Sequence, residues 1–288
     1  METLKQILPL LLSLSLAGLV LTVGLRATVD DLLYVIRRPG LLGRVVVAVE
    51  VIPPLAAALL VWFLPIAPVV KAGLMLMAIS PVPPLVPGKE LNIGARKEFA
   101  YGVYVAMALL TIVAVPLVFD LAARIFGHDA TLPVRTIAAT VATGVLIPLA
   151  IGMVIRKLVP NLAERAAPWV YKLSMLLVVL VFLPILAGVW RALWDLVGNG
   201  TILAMIVLVT TTLAGGHLLG GPAPLDRATL AIASSVRHPG IAMLIANTAF
   251  DDKRVTAAVL LYLLVSMIQG AVYKAWFIRT RAHQPQLG

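Results

Sequence analysis

Nine long stretches of this chain carry almost no charge. They run at roughly 6–25, 41–63, 66–88, 99–119, 134–155, 168–190, 201–221, 228–249 and 255–277. Each is apolar on every side of a helix, which demands burial in lipid or in a bundle. Roughly 20 apolar residues suffice to cross a bilayer. Over 288 residues the chain is 61% apolar and 12% charged, about half the charge of an ordinary soluble domain. A soluble protein of this size cannot keep so much apolar surface from water. The pattern predicts an all-α membrane protein of nine transmembrane helices, a single polytopic domain over 1–288. It excludes a soluble enzyme and a disordered chain.

Charge sets the orientation. The 23 Lys+Arg exceed the 13 Asp+Glu, but in a membrane protein such a surplus marks cytoplasmic loops, not a nucleic-acid surface. The loops after the odd-numbered spans and the C-terminus hold fifteen Lys or Arg, among them Arg37, Arg38, Arg96, Arg156 and Arg279. The opposite side holds seven, including Lys71, Arg135 and Arg254. This asymmetry predicts an N-terminus outside and a C-terminus in the cytoplasm, in a cell's inner or plasma membrane. The apolar stretch 4–25 is too long for a signal peptide, its head carries only Glu2 and Lys5, and no small-residue cleavage site follows. It reads as a retained span.

Little here suggests catalysis. There is no Cys, and His128, His217, His238 and His283 are scattered. No zinc-protease, nucleophile-elbow, phosphate-loop or dinucleotide motif appears. No cofactor and no metal site is expected.

Two segments interrupt the apolar pattern. The third span runs into Ser80-Pro81-Val82-Pro83-Pro84-Leu85-Val86-Pro87-Gly88. Prolines lack the N–H donor and clash with earlier carbonyls, so the helix cannot continue. The run is either a break within the membrane or the end of the span. The eighth span contains Ser234-Ser235-Val236-Arg237-His238-Pro239-Gly240, where Pro239 and Gly240 should unwind it near its middle. Irregular backbone at membrane depth is tolerated only inside protein or beside a cavity. Paired interruptions in two halves of a chain point to a transporter's binding site. The bland alternative is a pair of simple kinks.

At these residues the chain resembles the bile acid:sodium symporter family. Gly24-Leu25 with Asp30-Asp31 and Arg38-Pro39 resembles an early loop of that family. The run from Val145 to Gly152, followed by Arg156-Lys157, resembles the entry helix of its second half. Gly215-Gly216-His217-Leu218-Leu219-Gly220 resembles the stretch before its second crossing helix, and the motif from Val236 to Gly240 that helix's unwound centre. The resemblance covers most of residues 15–277 through the order and spacing of the motifs. It implies two inverted repeats, 1–125 and 126–288, the first lacking its first helix. It also implies a panel domain and a core domain with two broken crossing helices. Sodium-coupled members carry a Glu early in the second crossing segment and a polar triplet at its break. Here Ala233 stands for the Glu, and Arg237, His238 and Pro239 for the triplet. Pro81 is followed by Val82, Pro83, Pro84, Leu85 and Val86 instead of small polar residues. The usual sodium sites are therefore expected to be absent.

The candidate substrate-binding residues are Arg237, His238, Glu50, Ser234, Ser235 and Asn92. Ser80, Pro81, Pro83, Pro84, Pro239 and Gly240 supply the broken-helix backbone. A guanidinium near the bilayer centre needs a cavity or a partner, and Arg237 suits a carboxylate or phosphate; the alternative is a structural ion pair. Glu50 lies mid-span before Pro53-Pro54 and is open either to pairing with Arg237 or to carrying a proton. His238 is a proton carrier or a hydrogen-bonded structural group. Ser80, Ser234 and Ser235 are candidate helix caps. Lys89 and Glu90 are expected in a solvated loop, with Asn92 open between loop and cavity. The Gly216/Gly220 pair predicts close helix packing. Thr210, Thr211 and Thr212 face either the cavity or their own helix, and Trp169, Trp190 and Trp194 read as interfacial anchors.

The reading that follows is a carrier of a small organic anion working by alternating access, with sodium or proton coupling open and a second copy of the chain an open partner. A non-transporting membrane sensor or assembly protein on the same fold is the rival, and an intramembrane enzyme ranks last.

Overall fold

The structure, a computed structural model, describes residues 2–125, 135, 139 and 142–282. His128, His283 and the start of the second repeat at 126 lie outside the described residues, as does part of the predicted span 134–155. Every regular element among the described residues is helical. Long helices are α1 (Glu2–Arg26), α3 (Pro39–Phe63), α6 (Lys97–Ile125), α8 (Pro160–Gly188), α10 (Thr201–Leu219) and α13 (Arg254–Ala282). Shorter ones are α2 (Val29–Leu33), α4 (Pro68–Ile79), α5 (Val86–Leu91), α7 (Ile147–Leu158), α9 (Trp190–Leu196), α11 (Pro224–Ser235) and α12 (Pro239–Ala249).

Proline writes many of these boundaries. Pro39, Pro68, Pro160, Pro224 and Pro239 each open a helix, where the missing N–H costs nothing because the first turn has no partner for it. In α2 a capping box does the same work: Thr28 and Asp31 each bond the other's backbone N–H.

Among the described residues, six segments are long and apolar enough to cross a membrane: Pro39–Phe63, Lys97–Val118, Pro160–Gly188, Thr201–Leu219, Pro224–Asn247 and Arg254–Thr280. Nine spans were expected, and the predicted span 134–155 lies partly outside the described residues. The predicted span 66–88 is not one helix, because α4 stops at Ile79 and the chain restarts at Val86 as α5. Helix α1 runs over 25 residues and covers the predicted span 6–25. The sixth span begins earlier than expected, with α8 starting at Pro160, so Arg165 and Lys172 sit on the helix and not in a loop. Leu173, Leu176, Leu180 and Leu183 of α8 are exposed, as lipid-facing side chains are.

Packing divides the helices. Helix α1 lies along α7 and α8. A side chain at Gly152 would meet the Leu21 carbonyl at 2.5 Å and the Leu25 amide at 2.8 Å, so the α1–α7 approach requires glycine. Arg156 closes this trio by donating to the Leu25 carbonyl at 3.1 Å. The other long helices surround two buried clusters. One holds Leu74, Met77, Leu208, Ala242 and Leu260; the other holds Val45, Val82, Val86, Tyr104 and Leu230. Half-helices α4 and α12 feed the first, and α5 and α11 the second. Each break separates the clusters along the chain: Ile79 and Ala242 belong to the first, Val82 and Val236 to the second.

Candidate functional site

Three irregular backbone segments converge on one side chain. The first is a π-helical turn, Val47–Val51, inside α3. Its cause is local. Pro53 and Pro54 stand four and five residues after Val49, so neither an α nor a π hydrogen bond to the Val49 carbonyl can form. The second is the gap between α4 and α5. There Pro83 and Pro84 deny the Ser80 carbonyl its partners three and four residues on. The third is the gap between α11 and α12. The His238 N–H would normally reach back to Ser234, but it donates instead to the Pro81 carbonyl at 2.9 Å. The Ser234 carbonyl is left over.

Arg237 collects all three. Nη2 donates to the Val49 carbonyl at 2.6 Å and to the Ser234 carbonyl at 3.0 Å, and Nη1 to the Ser80 carbonyl at 3.1 Å. Arg237 has 0% exposure and heads the largest fully buried side chains. Its Nε has no hydrogen-bond partner among the described residues. Two of its acceptors end helices: Ser80 caps α4, and Ser234 lies in the last turn of α11. The negative ends of two helix dipoles therefore face the cation.

The proline run is thus a break inside the protein, with buried residues on both sides of it. The second break lies at Val236–His238, just before Pro239 and not at Pro239-Gly240 as expected, because proline is accommodated as the first residue of α12. Near Gly240, Leu16 of α1 lies 3.6 Å from where a side chain would begin.

Several expectations need correction. No Arg237–Glu50 ion pair forms among the described residues; the guanidinium goes to carbonyls, and Glu50 Oε1 is buried without a partner. Of the serines expected to cap helix ends at the breaks, Ser80 is the C-terminal cap residue of α4, but none of their side chains bonds a free helix-start amide among the described residues. Ser80 Oγ donates to the Leu76 carbonyl, Ser235 Oγ to that of Ile232, and Ser234 Oγ to those of Thr212 and Ala231. They sit at helix ends, where free carbonyls and not free amides are nearby. Asn92 is exposed at the end of α5, away from the convergence. Glu90 is not in a solvated loop: it is 0% exposed, and neither carboxyl oxygen has a partner among the described residues. Thr212 is buried and bonds its own helix, donating to Val209. Trp169, Trp190 and Trp194 are all exposed.

His238 acts as a cap. Its Nδ1 accepts the Ile241 N–H at 3.3 Å at the start of α12. Asparagine is among the best residues for this position, whereas losing the side-chain acceptor costs about 1 kcal/mol. His238→Ala should therefore lower stability in a detergent melt by about 1 kcal/mol, and His238→Asn should restore most of it. Equal melting of the two variants would remove the capping role.

Sequence reasoning missed one further link. Arg96 holds Asp226 through two bonds, Nη2–Oδ2 at 2.6 Å and Nε–Oδ1 at 3.2 Å, across 130 residues. These bonds hold the Arg96 guanidinium above its ordinary pKa. The pair fastens the segment after α5 to the first turn of α11, where a carboxylate also favours the dipole. A double-mutant cycle on Arg96→Ala and Asp226→Ala should give a coupling of about 1 kcal/mol, given the half-exposed arginine. A coupling near zero would reduce the pair to a surface contact.

A helical membrane protein whose two discontinuous helices meet through their unwound backbones has the construction of a secondary transporter. Residues 13–195 match the Sodium Bile acid symporter family, and the chain belongs to that family. It is a membrane transport protein, not an enzyme. Two curated relatives, both called probable sodium/metabolite cotransporter BASS5, chloroplastic, come from Oryza sativa subsp. indica and subsp. japonica. Each is 24% identical over 285 residues, covering 93% of this chain and 69% of the relative.

Proposed function

We propose that this protein is a secondary transporter that carries a small organic anion by alternating access, without the sodium site its family name implies. One observation carries the reading: the two interrupted helices unwind beside each other and are tied together there, His238 to Pro81 and Arg237 to Ser80. Such breaks are tolerated in a membrane only where they are buried in protein or line a cavity, and paired breaks of this kind mark the binding region of secondary transporters. The relatives' names supply the metabolite; the buried guanidinium supplies the preference for an anion. Its Nε–H is the donor left for a carboxylate oxygen.

In this scheme residues 1–125 and 126–288 are two inverted repeats. Helices α1, α7 and α8 form the panel, and α3 to α6 with α10 to α13 form the core that rocks against it. The N-terminus is outside and the C-terminus is in the cytoplasm. The absence of cysteine makes the orientation directly testable. Arg38→Cys should resist an impermeant maleimide in intact cells, and Asp251→Cys should react. The reverse pattern would invert the topology.

Transport itself is tested in two stages. Cholate, benzoate and succinate are screened for thermal stabilisation of the purified protein in sodium and in potassium buffer at two pH values. A ligand that binds the folded state raises stability by mass action. Hits are then assayed for counterflow in proteoliposomes. Binding without counterflow would favour the sensor; counterflow that requires sodium would overturn the sodium-independent part of the reading.

A further inference from the structure

The family name implies a sodium ion as co-substrate, and the donor set here does not fit one. Sodium is held by several oxygens at close range, and transporters of this construction provide them from unwound backbone and the C-terminal ends of half-helices. This protein has such oxygens: the carbonyls of Val49, Ser80 and Ser234, freed by Pro53 and Pro54, by Pro83 and Pro84, and by the diverted His238 amide. All three already accept from one guanidinium, at 2.6, 3.1 and 3.0 Å. The guanidinium is fully buried. No hydrogen-bonded ion pair to it is present among the described residues: carbonyl dipoles contact it directly, and Glu50 interacts with it only at longer range.

We propose that the Arg237 guanidinium is a resident cation, built into the chain at a carbonyl cradle that joins the π turn to both crossing breaks, so that no sodium ion is bound or released there. The inference rests on the transporter reading and deepens it. A tethered cation cannot dissipate with substrate, so the cradle's charge stays constant through the cycle. Transport then draws on the anion's own gradient or on exchange.

Two chemical features separate a resident cation from an arginine that merely fills space. The cradle needs positive charge and several N–H donors together. Arginine offers five donors, lysine three with the charge kept, and glutamine two without charge. If the cation is structural, emptying the cradle creates a site for an external one.

The test uses the full-length protein in detergent at constant ionic strength. Melting of the wild type is measured in sodium, potassium and choline chloride, and that of Arg237→Ala with added ethylguanidinium chloride or ethylammonium chloride. Equal wild-type melting in the three salts is expected, with a saturable upward shift of Arg237→Ala by ethylguanidinium that the wild type lacks. A saturable sodium-specific shift of the wild type would overturn the proposal. So would an Arg237→Ala protein that melts like the wild type or fails to respond to ethylguanidinium. Should Arg237→Ala not fold, Arg237→Lys must melt above Arg237→Gln; the opposite order overturns the proposal. None of these readouts uses a substrate. A failure to find transport would leave them unaffected, and their failure would leave anion counterflow intact.

Discussion

Arg237→Ala is expected to lower unfolding stability by at least about 3 kcal/mol, since each buried carbonyl left without a donor costs about 1–3 kcal/mol and Arg237 serves three. The lower end applies because the variant also removes a desolvated charge, whose burial is itself unfavourable. The loss should not be confined to one helix. Val49 lies in α3, Ser80 caps α4 and Ser234 lies in α11, so the variant uncouples three helices at once. Arg237→Lys is expected to fall between wild type and alanine. Denaturant unfolding in mixed micelles measures all three. An alanine variant within about 1 kcal/mol of wild type would mean that water or neighbouring donors already satisfy these carbonyls.

The second large effect is expected at Gly216. A side chain there would meet the Leu230 carbonyl oxygen at 2.5 Å and Ala231 Cα at 2.6 Å. Both are backbone atoms of α11 and cannot swing aside as a flexible side chain would. Gly216→Ala should therefore cost about 2–3 kcal/mol, the upper part of the range for overpacking. It also pushes α11 away from α10, and α11 leads directly into the Arg237 cradle. Uptake should fall with stability, not independently of it. Gly270→Ala is the matched control. Nothing lies within 4 Å of its added carbon, and alanine is the better helix former by roughly 1 kcal/mol. If both substitutions are equally tolerated, the close approach of α10 and α11 is wrong.

How much of this was legible in the chain differs by residue. That the helix stops at the Pro81 to Pro84 run and is interrupted near Pro239 was legible, because proline acts on its own turn; whether the first stop ends a span, and that the second falls just before Pro239, was not. The π turn at Val47–Val51 is also written locally, in Pro53 and Pro54, which leave the Val49 carbonyl without a helical donor. The close packing at Gly216 followed from spacing alone. The roles of Ser80, Ser234 and Ser235 did not. A serine caps a helix start or bonds back to its own turn depending on which side of the break it occupies, and one residue of error in placing that break reverses the answer. Asn92 and Glu90 lie two residues apart, yet one is exposed and the other buried, because α5 is helical and turns them to different sides.

The sequence by itself determined the class of environment and the points of failure in the helices. Its apolar stretches require lipid, and its prolines strip hydrogen-bond partners from particular carbonyls. Both are consequences of composition and of neighbours within about one helical turn. Only the tertiary structure decided what satisfies those carbonyls. Arg237 reaches Ser80 across 157 residues and Val49 across 188, and Arg96 reaches Asp226 across 130. Such partners are chosen by the packing of whole helices, which no local periodicity encodes. The same arginine that the sequence offers as an anion's ligand is, once folded, the cation that holds three broken helices together.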